Sequence, residues 1–403
     1  FDRPNIRYTV LDKQKPLGQL TDFLLTRREE AGIVYCLSRK RVDRVTDQLK
    51  EAGFNAASYH AGLAASERKQ VQEDFLRDNV TVIVATVAFG MGIDKSNVRY
   101  VVHYDIPKNI ESYYQETGRA GRDGLAAEAL LLFGYGDIAV ARGLIEKSNN
   151  PERKRIELHK LNAMVGFAEA LTCRRRILLG YFGERMQEHC GNCDICLNPP
   201  KMIDVTDDAR KALSCVYRLG QRFGMGHVID VLRGSQKERV MKFGHDRLTT
   251  YAIGADKSQE YWGSLLRHLI HHGCLEQDVG NYSVLKLTET ARPLLRGEQS
   301  LNMALPRVKT MDRPKTVRRT AGEIDYDQSL FEKLRALRKR MADTAGVPPF
   351  VIFSDASLAE MAAQRPTDRA SFRHIRGVGA HKLERYGPEF IQEILRFENS
   401  RTG

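Results

Sequence analysis

Through the first 145 residues, short apolar runs alternate with amphipathic stretches, and this constrains the fold more than any other feature. The runs 32–36, 56–60, 80–85, 100–104 and 129–133 read as strands, and 16–29, 39–52, 65–77 and 110–117 read as helices. Short apolar strands separated by helices imply a parallel sheet covered on both faces. Ligands of such sheets bind beyond the carboxyl ends of the strands. The loop after 80–85 falls where that rule places one.

The chain then changes character. Leu161, Met164, Val165 and Ala168 form one helical stripe. A cysteine knuckle follows, and Asn198-Pro199-Pro200 breaks the chain. Trp262, Leu265, Leu266, Leu269 and Ile270 mark another helix, and the runs 274–279 and 282–287 flank a Gly280-Asn281 hairpin turn. That helix-then-hairpin order predicts a winged helix. Residues 302–322 carry six basic residues and two prolines without apolar periodicity, which predicts a linker. Ile375-Arg376-Gly377-Val378-Gly379 is a tight corner inside a last helical segment. The expected domains are 1–148, 149–203, 204–301, the basic linker 302–322, and 323–403. A chain of 403 residues is too long for one core, so several domains are required.

Hydrophobic content of 42% and charged content of 28% describe a soluble globular protein. No run approaches the roughly 20 apolar residues of a membrane span. No charged-then-apolar leader is read, so the expectation is a cytoplasmic protein with no membrane partner. The net charge of +12 favours an anionic partner, nucleic acid before membrane.

Seven cysteines, three of them within seven residues, point to a metal site in a reducing compartment. Cys190, Cys193 and Cys196 lie on one tight loop, and Cys173 is the natural fourth ligand. The run Arg174-Arg175-Arg176 beside it would help keep thiolates deprotonated. An iron–sulfur cluster is the rival, but the ferredoxin pattern needs a further cysteine where Leu197-Asn198-Pro199 stands. Spacing alone favours zinc by roughly three to one. Four sulfurs leave no position for water, so the role is structural. Cys36, Cys215 and Cys274 read as core thiols.

The run from Gln115 to Gly124 sets Arg119 and Arg122 among glycines just after a predicted helix. Glycines permit close approach to an anion, and a guanidinium there can stabilise a transferring phosphoryl group. A solvated surface turn is the plainer reading. All ten positions, however, resemble motif six of the superfamily-two helicases in the form used by RecQ DNA helicases. Gly32–Arg39, Tyr59–Leu63 and Val84–Lys95 resemble further motifs of that family, in its order. The resemblance covers nearly the whole chain and is strongest to proteobacterial RecQ proteins.

That resemblance implies a multidomain α/β and α protein: a second RecA-like lobe, a helical zinc-binding subdomain, a winged helix, and a helicase-and-RNase-D C-terminal (HRDC) domain. It implies an ATP-dependent 3′–5′ DNA helicase of repair and recombination, located at the bacterial nucleoid. Arg122 would be the arginine finger, with Arg119 beside it and Gln115 coupling nucleotide state to the neighbouring lobe. Asp94, with Gly92, would approach the nucleotide. Ser38, Arg39 and Thr86 would face the DNA backbone, and His60 would serve DNA, nucleotide or its own strand end. His245, Arg247 and Ser258 would lie near duplex. Tyr282 would stack on a terminal base pair or pack on its own sheet. Phe350 would stack on single-stranded DNA or sit in the core, with Lys382 as a phosphate contact. The family's cofactors are structural zinc, and ATP with magnesium. Its partners are single-stranded, duplex or junction DNA, and a single-stranded-DNA-binding protein is a further one it allows. No Gly-x4-Gly-Lys-Ser/Thr loop occurs in the sequence. The expectation is thus a RecQ protein without its first lobe and without independent ATPase. The alternative is a non-catalytic, structure-specific DNA-binding module.

Overall fold

The computed structural model describes residues 1–90, 93–146, 149–186, 189–278, 284–304 and 325–402. Its contacts divide the chain into two units, Phe1–Phe133 with Leu144–Leu197 and Lys309–Gly403, and Gly134–Gly143 with Asn198–Val308. No helix among the described residues is long and apolar enough to cross a membrane.

The first unit is built on six strands: β1 (Ile6–Asp12), β2 (Ala31–Tyr35), β3 (Ala56–Tyr59), β4 (Val82–Ala85), β5 (Val98–His103) and β6 (Ala127–Phe133). All pair in parallel, in the order β1-β6-β5-β2-β4-β3. Helices Pro16–Leu25, Arg39–Glu51, Ala65–Leu76 and Ile110–Thr117 connect them, as the alternation requires. The first ends at Leu25 and not at residue 29, because Arg27 turns back to the Phe23 carbonyl and to both oxygens of Glu128 on β6. Strand β1 is missing from the sequence reading. It is an edge strand with Ile6, Tyr8 and Val10 buried in alternation, a weaker signal than the all-apolar runs of inner strands. Gly32 sits beside Tyr100 of β5, where a Cβ would lie 1.9 Å from the phenol ring.

Helices Pro151–Glu169 and Arg174–Tyr181 carry the cysteine knuckle and bury the expected stripe, together with Phe167. The terminal domain is five helices between Gln328 and Thr402 around its own core of Leu334, Ile352, Phe353, Phe372 and Phe390. Its corner needs Gly377, whose φ is +83° and whose Cβ would lie 2.9 Å from the Ser357 Oγ. This domain rests on the lobe. Lys339 donates to Asn79 at 2.8 Å, Arg77 to the Gly346 carbonyl at 3.4 Å, Arg335 to the Glu29 carbonyl, and Leu125 packs on its core.

The second unit centres on Trp262, Leu265, Leu266 and Leu269 of helix Gln259–His271. Helices Thr206–Arg218 and Met225–Leu232 pack there, with the antiparallel pair Leu275–Asp278 and Val284–Leu287. Asn302–Ala304 is a strand paired with Met202–Asp204, where the sequence reading opens a linker. Three residues are too few to show a period, so only the pairing reveals it.

Candidate functional site

The glycine–arginine run follows helix Ile110–Thr117, whose N-cap Asn109 accepts from the Ser112 amide at 2.7 Å. The helix is fastened to β5 by a buried pair, His103 Nε2 to Glu116 Oε2 at 2.6 Å. Beyond it the two arginines part. Arg119 turns inward and donates to the Gly90 carbonyl at 2.6 Å. A Cβ on Gly90 would lie 2.2 Å from that guanidinium, so the glycine is what admits it. Arg122 turns outward and donates to the Ile93 carbonyl at 3.0 Å and to Asp94 at 2.7 Å. The Asp94 side chain is 92% exposed and that of Arg122 35%.

Behind the pair the frame is stiff. Lys95, next to Asp94, forms a buried ion pair with Asp78, and Asp123, next to Arg122, forms one with Arg99. Of the glycines of the run, Gly124 faces open space and Gly121 is packed inward. Gly121, at φ +59°, faces Asn5, Ala127 and the Leu125 carbonyl, all within 3 Å of where a Cβ would stand. Arg3 donates to the carbonyls of Gly118, Ala120 and Gly121, at 3.1, 2.9 and 2.9 Å. Asn5 donates to those of Gly121 and Leu125. Sequence reasoning missed Arg3 and Asn5, because nothing local marks a partner more than a hundred residues away. Gln115 is exposed on the same helix. Gly92 lies outside the described residues, as does Tyr282 in the hairpin turn.

Ser38, Arg39 and Thr86 gather past the carboxyl ends of β2 and β4, where a parallel sheet presents its ligands. Ser38 caps helix Arg39–Glu51, accepting from the Arg41 amide at 3.3 Å. Asp105, which the sequence reading passed over, is buried beside them and accepts from the Leu37 amide, Lys13 and Arg41. His60 has both ring nitrogens engaged, with Asp43 at 2.8 Å and the Gly62 amide at 3.1 Å. These contacts fix the ring just past the end of β3. Arg122 lies elsewhere, near the amino end of β5, where the Gly121 amide meets the Val98 carbonyl.

The Sγ atoms of Cys173, Cys190, Cys193 and Cys196 all lie within 4.8 Å of one another. A tetrahedron with Zn–S bonds of about 2.3 Å needs sulfurs roughly 3.8 Å apart, so the set fits. The pairs Cys190–Cys196 and Cys193–Cys196 stand at 3.8 and 3.4 Å. The guanidiniums of two neighbouring arginines are engaged away from the knuckle's sulfurs. Arg174 is buried in a two-pronged pair with Asp194, at 3.0 and 3.1 Å, and also holds the Phe167 and Ala168 carbonyls. Arg175 reaches Asp2 and the Ile6 carbonyl. Their guanidiniums brace the fold, while the backbone amides of Arg176 and Arg174 hydrogen-bond the Cys173 and Cys193 thiols and favour the thiolate.

In the winged helix, Ser258 caps helix Gln259–His271. The loop before it lies flat on Trp262, since a Cβ on Gly254 would stand 2.2 Å from the indole. His245 shares a hydrogen bond of 2.8 Å with His227. Burial, then His245 and Arg239, push His227 down to about 4, so it stays neutral at physiological pH. Arg247 is exposed. In the terminal domain Phe350 is half-buried, and Phe353 is the core phenylalanine. Lys382 holds its ammonium 5.7 Å from the Phe353 ring centre, and burial pushes its pKa down.

Residues 13–124 match the helicase conserved C-terminal domain, and 135–197 the RecQ zinc-binding domain. Residues 199–311 match the RQC domain and 327–394 the HRDC domain. The class is therefore a helicase C-terminal lobe with zinc-binding, winged-helix and HRDC domains attached. The chain is 51% identical to the ATP-dependent DNA helicase RecQ of Pasteurella multocida (strain Pm70), over 100% of this chain and 64% of that protein. It is 50% identical to that of Haemophilus influenzae, over 98% and 64%, and 41% identical to that of Bacillus subtilis, over 98% and 65%. The chain belongs to the RecQ family, the one its arginine run resembles, and spans 64–65% of the length of these relatives. Its four clustered thiols are a structural zinc site.

Proposed function

We propose that the chain is the nucleotide-responsive second lobe and DNA-binding apparatus of an ATP-dependent 3′–5′ DNA helicase acting in repair and recombination at the bacterial nucleoid. The observation that carries this is the exposed Arg122–Asp94 pair on a rigid frame. A pair so open to solvent is worth about 0–1 kcal/mol. A γ-phosphate with its magnesium, held by a facing surface, offers the guanidinium a stronger charge-assisted partner. Arg122 then leaves Asp94 for the phosphoryl oxygens, while Arg119 stays on Gly90 and keeps the two motif loops in register. Phosphoryl transfer needs little from a protein beyond such positioning and charge.

DNA is the partner, through the carboxyl-end group of Ser38, Arg39 and Thr86 and through the winged helix and HRDC domain. A single-stranded-DNA-binding protein is a further partner. Arg122 acts on a nucleotide that another surface must hold, so the 403-residue chain should bind DNA and release no phosphate from ATP. Phosphate release measured with saturating single-stranded DNA tests this. Turnover typical of a helicase would place the ATP site within these residues and overturn the reading.

A further inference from the structure

On the winged helix, Met241 and Phe243 are 50% and 52% exposed, although two residues apart at the end of a short helix, Glu238–Lys242. Isolated apolar residues on a surface need no explanation. This pair differs because Phe243 is the outer member of a braced aromatic stack. Its ring lies 5.6 Å from His245 at an interplanar angle of 17°, and meets Phe223 edge-on at 5.1 Å. Phe223 in turn stacks on His227 at 4.3 Å, and His227 is hydrogen-bonded to His245. Gly244, at φ +68°, makes the reversal that sets Phe243 and His245 face to face. A side chain fixed in this way loses little rotamer freedom on binding.

The surroundings are cationic. Lys237, Arg239, Lys242 and Arg247 fall within eleven residues, against Glu238 and Asp246. Arg239 lies 5.8 Å from the Phe223 ring centre. His227, depressed by burial and by these neighbours, contributes no charge and acts as a packing ring. Lys237 is paired with Asp230, which leaves Arg239, Lys242 and Arg247 as the cations of this segment. A flat apolar face with cations nearby suits a ligand that is flat and apolar at one end and anionic at the other. A nucleotide in a DNA chain is such a ligand: its base stacks on an aromatic ring and its phosphates meet the cations.

We propose that Phe243, backed by His245 and flanked by Met241, is a stacking platform for a nucleobase of DNA, either the first unpaired base beside a duplex or the base at a duplex end. The inference rests on the reading of the winged helix as a DNA-binding domain.

The test uses the 403-residue chain with DNA carrying 2-aminopurine, whose fluorescence falls on stacking. One substrate places it at the first unpaired position of an overhang, the other at a blunt end. The parent protein should quench at least one, and which one identifies the source of the base. Phe243→Ala should abolish that quenching and weaken binding about ten-fold. It should leave the salt dependence of binding unchanged, because no phosphate contact is lost. Arg247→Ala should flatten the salt dependence instead, and Phe243→Trp should restore both affinity and quenching. The exposed position makes these variants safe for folding, which circular dichroism checks. Binding and quenching by Phe243→Ala equal to the parent's, or parental binding without quenching of either probe, would overturn the platform and leave the DNA reading standing. Absence of DNA binding by the parent at low salt would remove both.

Discussion

Arg119 and Arg122 stand three positions apart in the sequence and face opposite ways in the fold. Arg119 is an internal tie to Gly90, whereas Arg122 is a partly exposed charge paired with an exposed aspartate. The two should therefore fail differently. In a full-length enzyme, Arg122→Ala should lower ATP turnover by about three to five orders of magnitude, as loss of other arginine fingers does. Nucleotide binding should change far less. Arg119→Ala should instead leave the Gly90 carbonyl with only the long bond from the Ile93 amide, a cost of about 1–3 kcal/mol that appears as lost stability. Steady-state kinetics set beside thermal unfolding separates the two. Equal turnover by parent and Arg122→Ala would exclude Arg122 as the finger. The sequence announced that two arginines lie in one glycine-rich loop. It could not say which guanidinium points inward, because that depends on Gly90, Arg3 and Asn5, each distant in the chain. Phe243 escaped notice for a related reason: one phenylalanine in a polar loop has no period, and only its ring neighbours distinguish it.

At the level of elements, the zinc knuckle is joined to the edge of the sheet. Asp194, between two of the ligands, accepts from the Val10 amide at 3.2 Å, and Arg175 donates to the Ile6 carbonyl at 2.6 Å. Cys193 forms a bridge with Tyr8. Chelation should therefore reach beyond the knuckle. Elemental analysis should find about one zinc per chain. After chelation, hydrogen exchange should accelerate across 6–12 as well as 173–197, while the core of helix Gln259–His271 keeps its protection. Iron in place of zinc, or unchanged exchange in β1, would contradict this account. The inner strands and the cysteine set were legible because each carries a strong local signal, an apolar run or a ligand spacing. Strand β1 and the three-residue strand Asn302–Ala304 were not, because partners far along the chain create them.

Across the whole molecule, the largest share of the net charge of +12 falls in 302–322, and the terminal domain is the simplest to test alone because it has its own core. A 323–403 fragment should bind single-stranded DNA weakly, with affinity falling steeply as salt rises, since phosphate contacts release counterions. Titration of the folded fragment at two salt concentrations checks this, and no binding at low salt would remove DNA from its partners. The seat of this domain on Asn79, Arg77 and Glu29 could not be read from the sequence, because it pairs surfaces more than two hundred residues apart. The grip of Arg3 on three carbonyls of the arginine run has a mechanical meaning. Residues 1–5 act as a tie between that run and the zinc knuckle, since Arg175 donates to Asp2 and Asn192 to the Pro4 carbonyl. A pull along that tie reaches the backbone of Gly121, one peptide from Arg122, and the knuckle together. Strain applied at either end would be shared by the arginine run and the knuckle.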